Sequence, residues 1–207
     1  GYRDPDFDRH PIECNFKAIG EEIRKARAIA DGGIIGVNIM VATKHYEEYV
    51  KAAVDAGVDI IISGAGLPMT LPEVSGDAKI APIVSSKKSL SVIAKYWNKK
   101  YNRKPDLVVI EGPLAGGHLG FHIEEIEEYT VSKTKDYDEE IRQIIALADE
   151  MEVPVAVAGG IYERADMEHY LEMGAKAVQI ATRFVTTKEC DASEAYKQAY
   201  INAKKED

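Results

Sequence analysis

The chain has 207 residues, 45% of them hydrophobic and 29% charged, and a formal net charge of −9 at pH 7. That length and composition belong to a globular protein able to bury about 70% of its unfolded surface without disulfide or metal staples. The acidic balance argues against a nucleic-acid partner, because phosphate backbones attract Lys- and Arg-rich faces, and no apolar run approaches the ~18 residues of a membrane span.

The first residues, Gly1 to Asp6, lack an initiator methionine and carry the turn-like Asp4-Pro5-Asp6. They read as the inside of a longer protein. A helical pattern over 15–30 follows, with Cys14 just before it. Its distant counterpart Cys190 has no metal-ligand spacing to it, so a reducing cytoplasm is the expected compartment. From there, apolar runs at 33–40, 59–63, 80–84, 107–110, 154–158 and 177–181 alternate with amphipathic runs at 44–56, 89–99, 138–151, 164–173 and 193–204. The apolar runs are rich in Val and Ile and lack polar alternation, as in parallel strands covered on both faces. Glycines close the helical runs at Gly57 and Gly174, where a left-handed stop is expected. The acidic stretch 124–128 reads as a solvated helix face.

Alternating strand and helix implies parallel pairing with right-handed crossovers. Two architectures satisfy it: an open doubly wound sheet and a (β/α)₈ barrel. The first apolar run ends Val37-Asn38-Ile39-Met40, without the glycine fingerprint of a dinucleotide fold. Glycines recur instead at later strand ends, as Gly64-Ala65-Gly66, Gly116-Gly117 and Gly159-Gly160. A barrel gathers such ends around one mouth, with phosphate bound by the last loops. The expected fold is therefore α/β, a TIM barrel, although six strands are legible where eight are needed.

The residues that can carry chemistry sit at those strand ends. His118, in Ala115-Gly116-Gly117-His118-Leu119-Gly120, can give or take a proton near neutral pH. The bland alternative is a tight turn with a solvated histidine. Gly159, Gly160, Gln179, Ile180, Ala181 and Thr182 offer amides and a hydroxyl suited to a phosphate, against two ordinary turns with Arg183 tied to a carboxylate. Asn38 interrupts an apolar strand. Buried there, its amide needs partners, either a neighbouring loop or a flavin or nucleobase edge. Glu111 can accept from a ribityl hydroxyl or pair with a lysine. Ser85 or Ser86 reads as the N-cap of the next helix. His10, His45, His122 and His169 read as surface residues, and Trp97 and the tyrosines lack nucleic-acid stacking spacing.

The ordered set Gly36-Val37-Asn38-Ile39-Met40, Ser63-Gly64-Ala65-Gly66, Glu111-Gly112, Ala115 to Gly120, Ala158-Gly159-Gly160-Ile161 and Val178 to Phe184 resembles the nitronate monooxygenase family, formerly 2-nitropropane dioxygenases. It is also similar to the related enoyl-acyl-carrier-protein reductase II. The resemblance runs from about Gly33 to the C-terminus. It implies an FMN-dependent TIM barrel with His118 as the catalytic histidine. It further implies Asn38, Glu111 and Gly116 as flavin contacts, with Gly117 beside them, and Gly159, Gly160 and Gln179 to Thr182 as the phosphate clamp.

The family's opening strand, helix and second strand find no match here. The resemblance thus casts 1–207 as one FMN-binding barrel domain, holding strands three to eight and lacking the N-terminal βαβ portion and a C-terminal extension. The implied activity is oxidation of alkyl nitronates or nitroalkanes by O₂ on a small-molecule substrate, with a homodimer compatible. The alternative is NAD(P)H- and FMN-dependent enoyl reduction with acyl carrier protein as partner, mildly favoured by Glu111. A third reading, of another class, is a non-catalytic truncated module that binds a partner through open sheet edges.

Overall fold

The computed structural model describes residues 1 and 3–204. Six strands, β1 (Gly36–Asn38), β2 (Ile60–Ser63), β3 (Lys79–Val84), β4 (Val108–Glu111), β5 (Val155–Ala158) and β6 (Ala177–Gln179), form one parallel sheet in strict chain order. A doubly wound sheet reverses its strand order partway; this one does not, so it is part of a (β/α)₈ barrel. β1 and β6 are its edges among the described residues.

The helices are α1 (Pro11–Ala30), α2 (Tyr46–Asp55), α3 (Leu71–Val74), α4 (Lys87–Tyr101), α5 (Ile123–Thr130), α6 (Tyr137–Glu150), α7 (Arg164–Glu172), α8 (Thr182–Val185) and α9 (Glu194–Asn202). The longer ones bury one stripe at helical spacing: Leu90, Ile93 and Trp97 on α4, and Ile141, Ile144, Ile145 and Ala148 on α6. Those stripes meet Ile61, Ile80, Val108, Ile110, Val155 and Val157 in the main core. Alternate strand residues point the other way. Ala81, Val109 and Ala158 form a second cluster with Ile60, Ile62, Ile83 and Leu107 on the inner face, away from the helices. Both faces are thus apolar, which is why the strands show no polar alternation. Trp97 is fully buried, and its indole N–H donates to the Pro68 carbonyl at 3.0 Å.

The edge strands are shorter than the apolar runs that foreshadow them. Residues 33–35 and 39–40 fall outside β1, and Ile34 is 81% exposed. A strand paired on one side only has half the ladder to hold its ends. Gly57 and Gly174 take left-handed φ angles of +78° and +111°, as expected of helix stops.

The amino-terminal rim repeats one device. Asp59, just before β2, accepts the Ile35 N–H at 2.7 Å and pairs with Arg27 of α1 at 2.7 Å. Asp106, just before β4, accepts the Ile80 N–H at 3.0 Å and pairs with Lys79 at 3.0 Å and Arg103 at 3.4 Å. Each carboxylate closes a backbone donor that the parallel ladder leaves open at the start of the preceding strand. Burial opposes ionisation of Asp106, but the Ile80 N–H and the Lys79 and Arg103 cations overcome it and hold its pKa below the usual carboxylate value. A depressed carboxyl stabilises the fold above its unfolded pKa and loses that contribution as pH falls. Asp106→Asn is expected to cost about 1–2 kcal/mol at pH 7. In urea titrations the gap from wild type should shrink steadily below about pH 4; a gap that stays constant to pH 2.5 contradicts the ion-pair account.

Candidate active site

In a parallel sheet every carboxyl end points to the same rim, opposite the Asp59 and Asp106 network. Register decides which side chains look inward there. Glu111, Ala158 and Gln179 are in register across β4, β5 and β6, and Ala158 belongs to the inner cluster. Glu111 and Gln179 therefore face inward at the ends of their strands. Asn38 is in register with inward-facing Ile62, so it looks inward from β1 at the far edge.

Asn38 departs from expectation. It is exposed, and its side chain makes no hydrogen bond among the described residues. β1 is an edge strand, and among the described residues no further strand covers its inner face, so the buried, satisfied amide expected from its apolar neighbours does not occur.

Two of the clefts on this rim share Glu111. The larger, of about 680 Å³, is lined by Glu111, Gly116, Gly117, Gly159, Gly160 and the run Gln179 to Thr182, with Tyr200 of α9 at its edge. The smaller, of about 370 Å³, is lined by His118, Leu119 and Gly120 from one side and by Gly66, Ser85, Ser86 and Ser89 from the other. Nine of the ten candidate cofactor-binding residues thus meet in one cleft, His118 stands in the adjoining one, and Asn38 lines neither.

Glu111 sits half-buried where the clefts meet. Burial alone raises its pKa. Among the described residues the lysine pairing that was its alternative does not form. Among the described residues the side chains of Glu111, His118, Gln179 and Thr182 make no hydrogen bond or ion pair, leaving them available to a ligand. Among the described residues Arg183 is tied to no carboxylate; its guanidinium donates to the Tyr162 carbonyl.

The glycines divide by function. A Cβ on Gly159 would stand 2.9 Å from the Ala115 backbone nitrogen, and one on Gly160 would stand 2.9 Å from Leu114 Cβ. These two let the β5 loop nest against the β4 loop. A Cβ on Gly116 or Gly117 would meet nothing within 4 Å. Their bare backbone therefore borders open cleft, a surface a ligand can approach closely.

Two residues that matter here were not legible as such. Ser86 is the N-cap of α4, accepting the Ser89 N–H at 3.2 Å. Ser85 instead donates its hydroxyl to the Gly120 carbonyl at 2.9 Å and pins the histidine loop. Tyr137 donates to the Glu111 carbonyl at 3.2 Å and the Ser85 carbonyl at 3.0 Å. Nothing in the sequence marks either, since their partners lie 26 to 52 residues away. The remaining histidines stay clear of the clefts: His169 pairs with Asp138 at 2.8 Å and His45 approaches Glu48 at 3.5 Å.

Fold and site together define a (β/α)₈-type protein with a polar, glycine-bordered cleft at its strand carboxyl ends. The chain matches the family described as "NMO: Nitronate monooxygenase" over residues 9–207, and it belongs to that family of oxidoreductases. It is 32% identical over 102 residues to "Probable nitronate monooxygenase" of Staphylococcus saprophyticus, and 31% identical to its counterpart in Staphylococcus aureus. Each match covers 49% of this chain and 27% of the relative. Among solved structures it is similar to FabK from Thermotoga maritima, with a TM-score of 0.66, 26% identity, and coverage of 89% of this chain and 53% of that one. Nitroalkane oxidase from Streptomyces ansochromogenes shares the fold, with a TM-score of 0.64 and 20% identity over 89% of this chain and 59% of that one. The chain thus spans little more than half the length of these solved relatives and about a quarter of the curated ones.

The glycine division is measurable. Gly159→Ala is expected to destabilise by about 1–3 kcal/mol, through backbone overlap and a strained positive φ. Gly116→Ala should stay within about 0.5 kcal/mol of wild type. Equal shifts in thermal unfolding would contradict the division.

Proposed function

We propose that this chain is the flavin-binding part of an FMN-dependent oxidoreductase that oxidises alkyl nitronates or nitroalkanes with dioxygen in the cytoplasm. The observation that carries this is the convergence of Glu111, two glycine pairs and the 179–182 run on one cleft, with His118 in the cleft beside it.

FMN fits the residues present. Gly159, Gly160, Ala181 and Thr182 offer backbone amides and a free hydroxyl to its phosphate. The open backbone at Gly116 and Gly117 leaves room for a flat group beside Glu111. Glu111 presents a carboxyl without a partner among the described residues on the inner face for the remaining polar groups. When bound, FMN supplies the electron transfer between substrate and oxygen. The protein's own part is placement and proton movement. His118 takes the proton from the carbon that bears the nitro group onto an imidazole nitrogen. Ser85, Ser86 and Ser89 border the same cleft and offer hydroxyls to the nitro oxygens. Burial raises the Glu111 carboxyl above its ordinary pKa.

A second reading is reduction of an enoyl thioester carried on acyl carrier protein, with NAD(P)H as donor. A glutamate at position 111, together with the likeness to FabK, favours it.

The test begins with an FMN titration of the purified chain, followed by anaerobic absorbance. Bleaching of the flavin band by a nitronate but not by NADH supports the first reading; rapid bleaching by NADH supports the second. His118→Ala is expected to keep FMN affinity within twofold and to lower kcat by about 100-fold. Wild-type turnover in that variant refutes the assignment to His118.

A further inference from the structure

Residues 112–122 carry His118 from the end of β4 to the start of α5. Four of them are glycines, which supply little stiffness of their own. An imidazole that transfers a proton needs a defined position, because misplacement by an ångström costs rate steeply. The two ends of this loop meet at one side chain outside both clefts.

Tyr137 opens α6, and its hydroxyl is shared between the Glu111 carbonyl and the Ser85 carbonyl, at 3.2 and 3.0 Å. Its ring lies under the loop's first residue, so that a Cβ on Gly112 would stand 3.2 Å from Tyr137 Cε1. At the loop's far end Phe121 meets the same ring edge-on, with centroids 5.4 Å apart. Tyr129 packs edge-on against both rings at 5.3 and 5.9 Å. Ser85 closes the circuit: its carbonyl accepts from Tyr137 while its hydroxyl donates to Gly120. Burial pushes the Tyr137 phenol well above its ordinary pKa, so the donor stays protonated.

We propose that Tyr137 is a positioning residue that clasps both ends of the histidine loop and thereby sets where the His118 imidazole stands over the cleft. The proposal rests on His118 being the group that moves the substrate proton. Tyr137 lines neither of the two clefts, so its influence passes through the loop backbone.

Tyr137→Phe in the FMN-loaded chain keeps the ring and removes the two hydrogen bonds. Amide exchange across 112–122 should quicken about tenfold, the equivalent of one net hydrogen bond. The His118 ring signals in NMR should shift, while amides of α4 and α7 keep their rates. With a nitroalkane, whose carbon still carries the proton that His118 removes, kcat should fall about tenfold with KM unchanged. Phe121→Leu keeps both hydrogen bonds and should loosen the same loop from its other end. Unchanged loop exchange and ring signals in Tyr137→Phe overturn the proposal. So does loss of protection throughout the chain in both variants, which would make the tyrosine a plain core residue. Exchange and ring signals are read without substrate, so an inactive wild type refutes the functional reading and leaves the clasp to its own measurement.

Discussion

Parallel pairing in chain order is the constraint on which the rest of this structure depends. A parallel strand cannot return by a hairpin, so each crossover carries a helix, and the helices settle on one face. The six carboxyl ends then share a rim, and loops up to seventy residues apart in the chain, such as those after Glu111 and Gln179, become neighbours. The apolar character of both strand faces follows from the same arrangement. Ile61 and Val108 look to the helices, whereas Ala81 and Val109 look to the inner side.

The two rims divide labour by charge. At the amino ends Asp59 and Asp106 are saturated by backbone N–H groups and cations, so they hold strands together and have little capacity left for a ligand. At the carboxyl ends the side chains of Glu111, Gln179 and Thr182 face a cleft without partners among the described residues. A half-buried polar group that the fold leaves unpaired in a cleft is open to a ligand. That asymmetry, more than any one motif, marks the candidate rim.

Much of the fold was legible because it is local. Val- and Ile-rich runs, helical stripes such as Leu90, Ile93 and Trp97, and glycine stops at Gly57 and Gly174 all act within a few residues. The four-residue helices α3 and α8 were not, since a single turn has no periodicity to display. Edge strands were overestimated for the opposite reason: β1 has the composition of a covered strand but only one neighbour. The expected burial of Asn38 failed with it, because burial belongs to the assembled sheet and not to the residues beside it.

The sequence by itself determined the alternation of strand and helix, the glycine loops at the strand ends and the presence of one histidine among them, because these depend on side-chain type and spacing along the chain. Only the tertiary structure decided that the strands follow one another in a single winding, that Glu111 joins two clefts, and that Ser85 and Tyr137 hold the histidine loop. Those contacts cross 26 to 52 residues of chain, and no local pattern records a hydrogen bond to a distant backbone carbonyl.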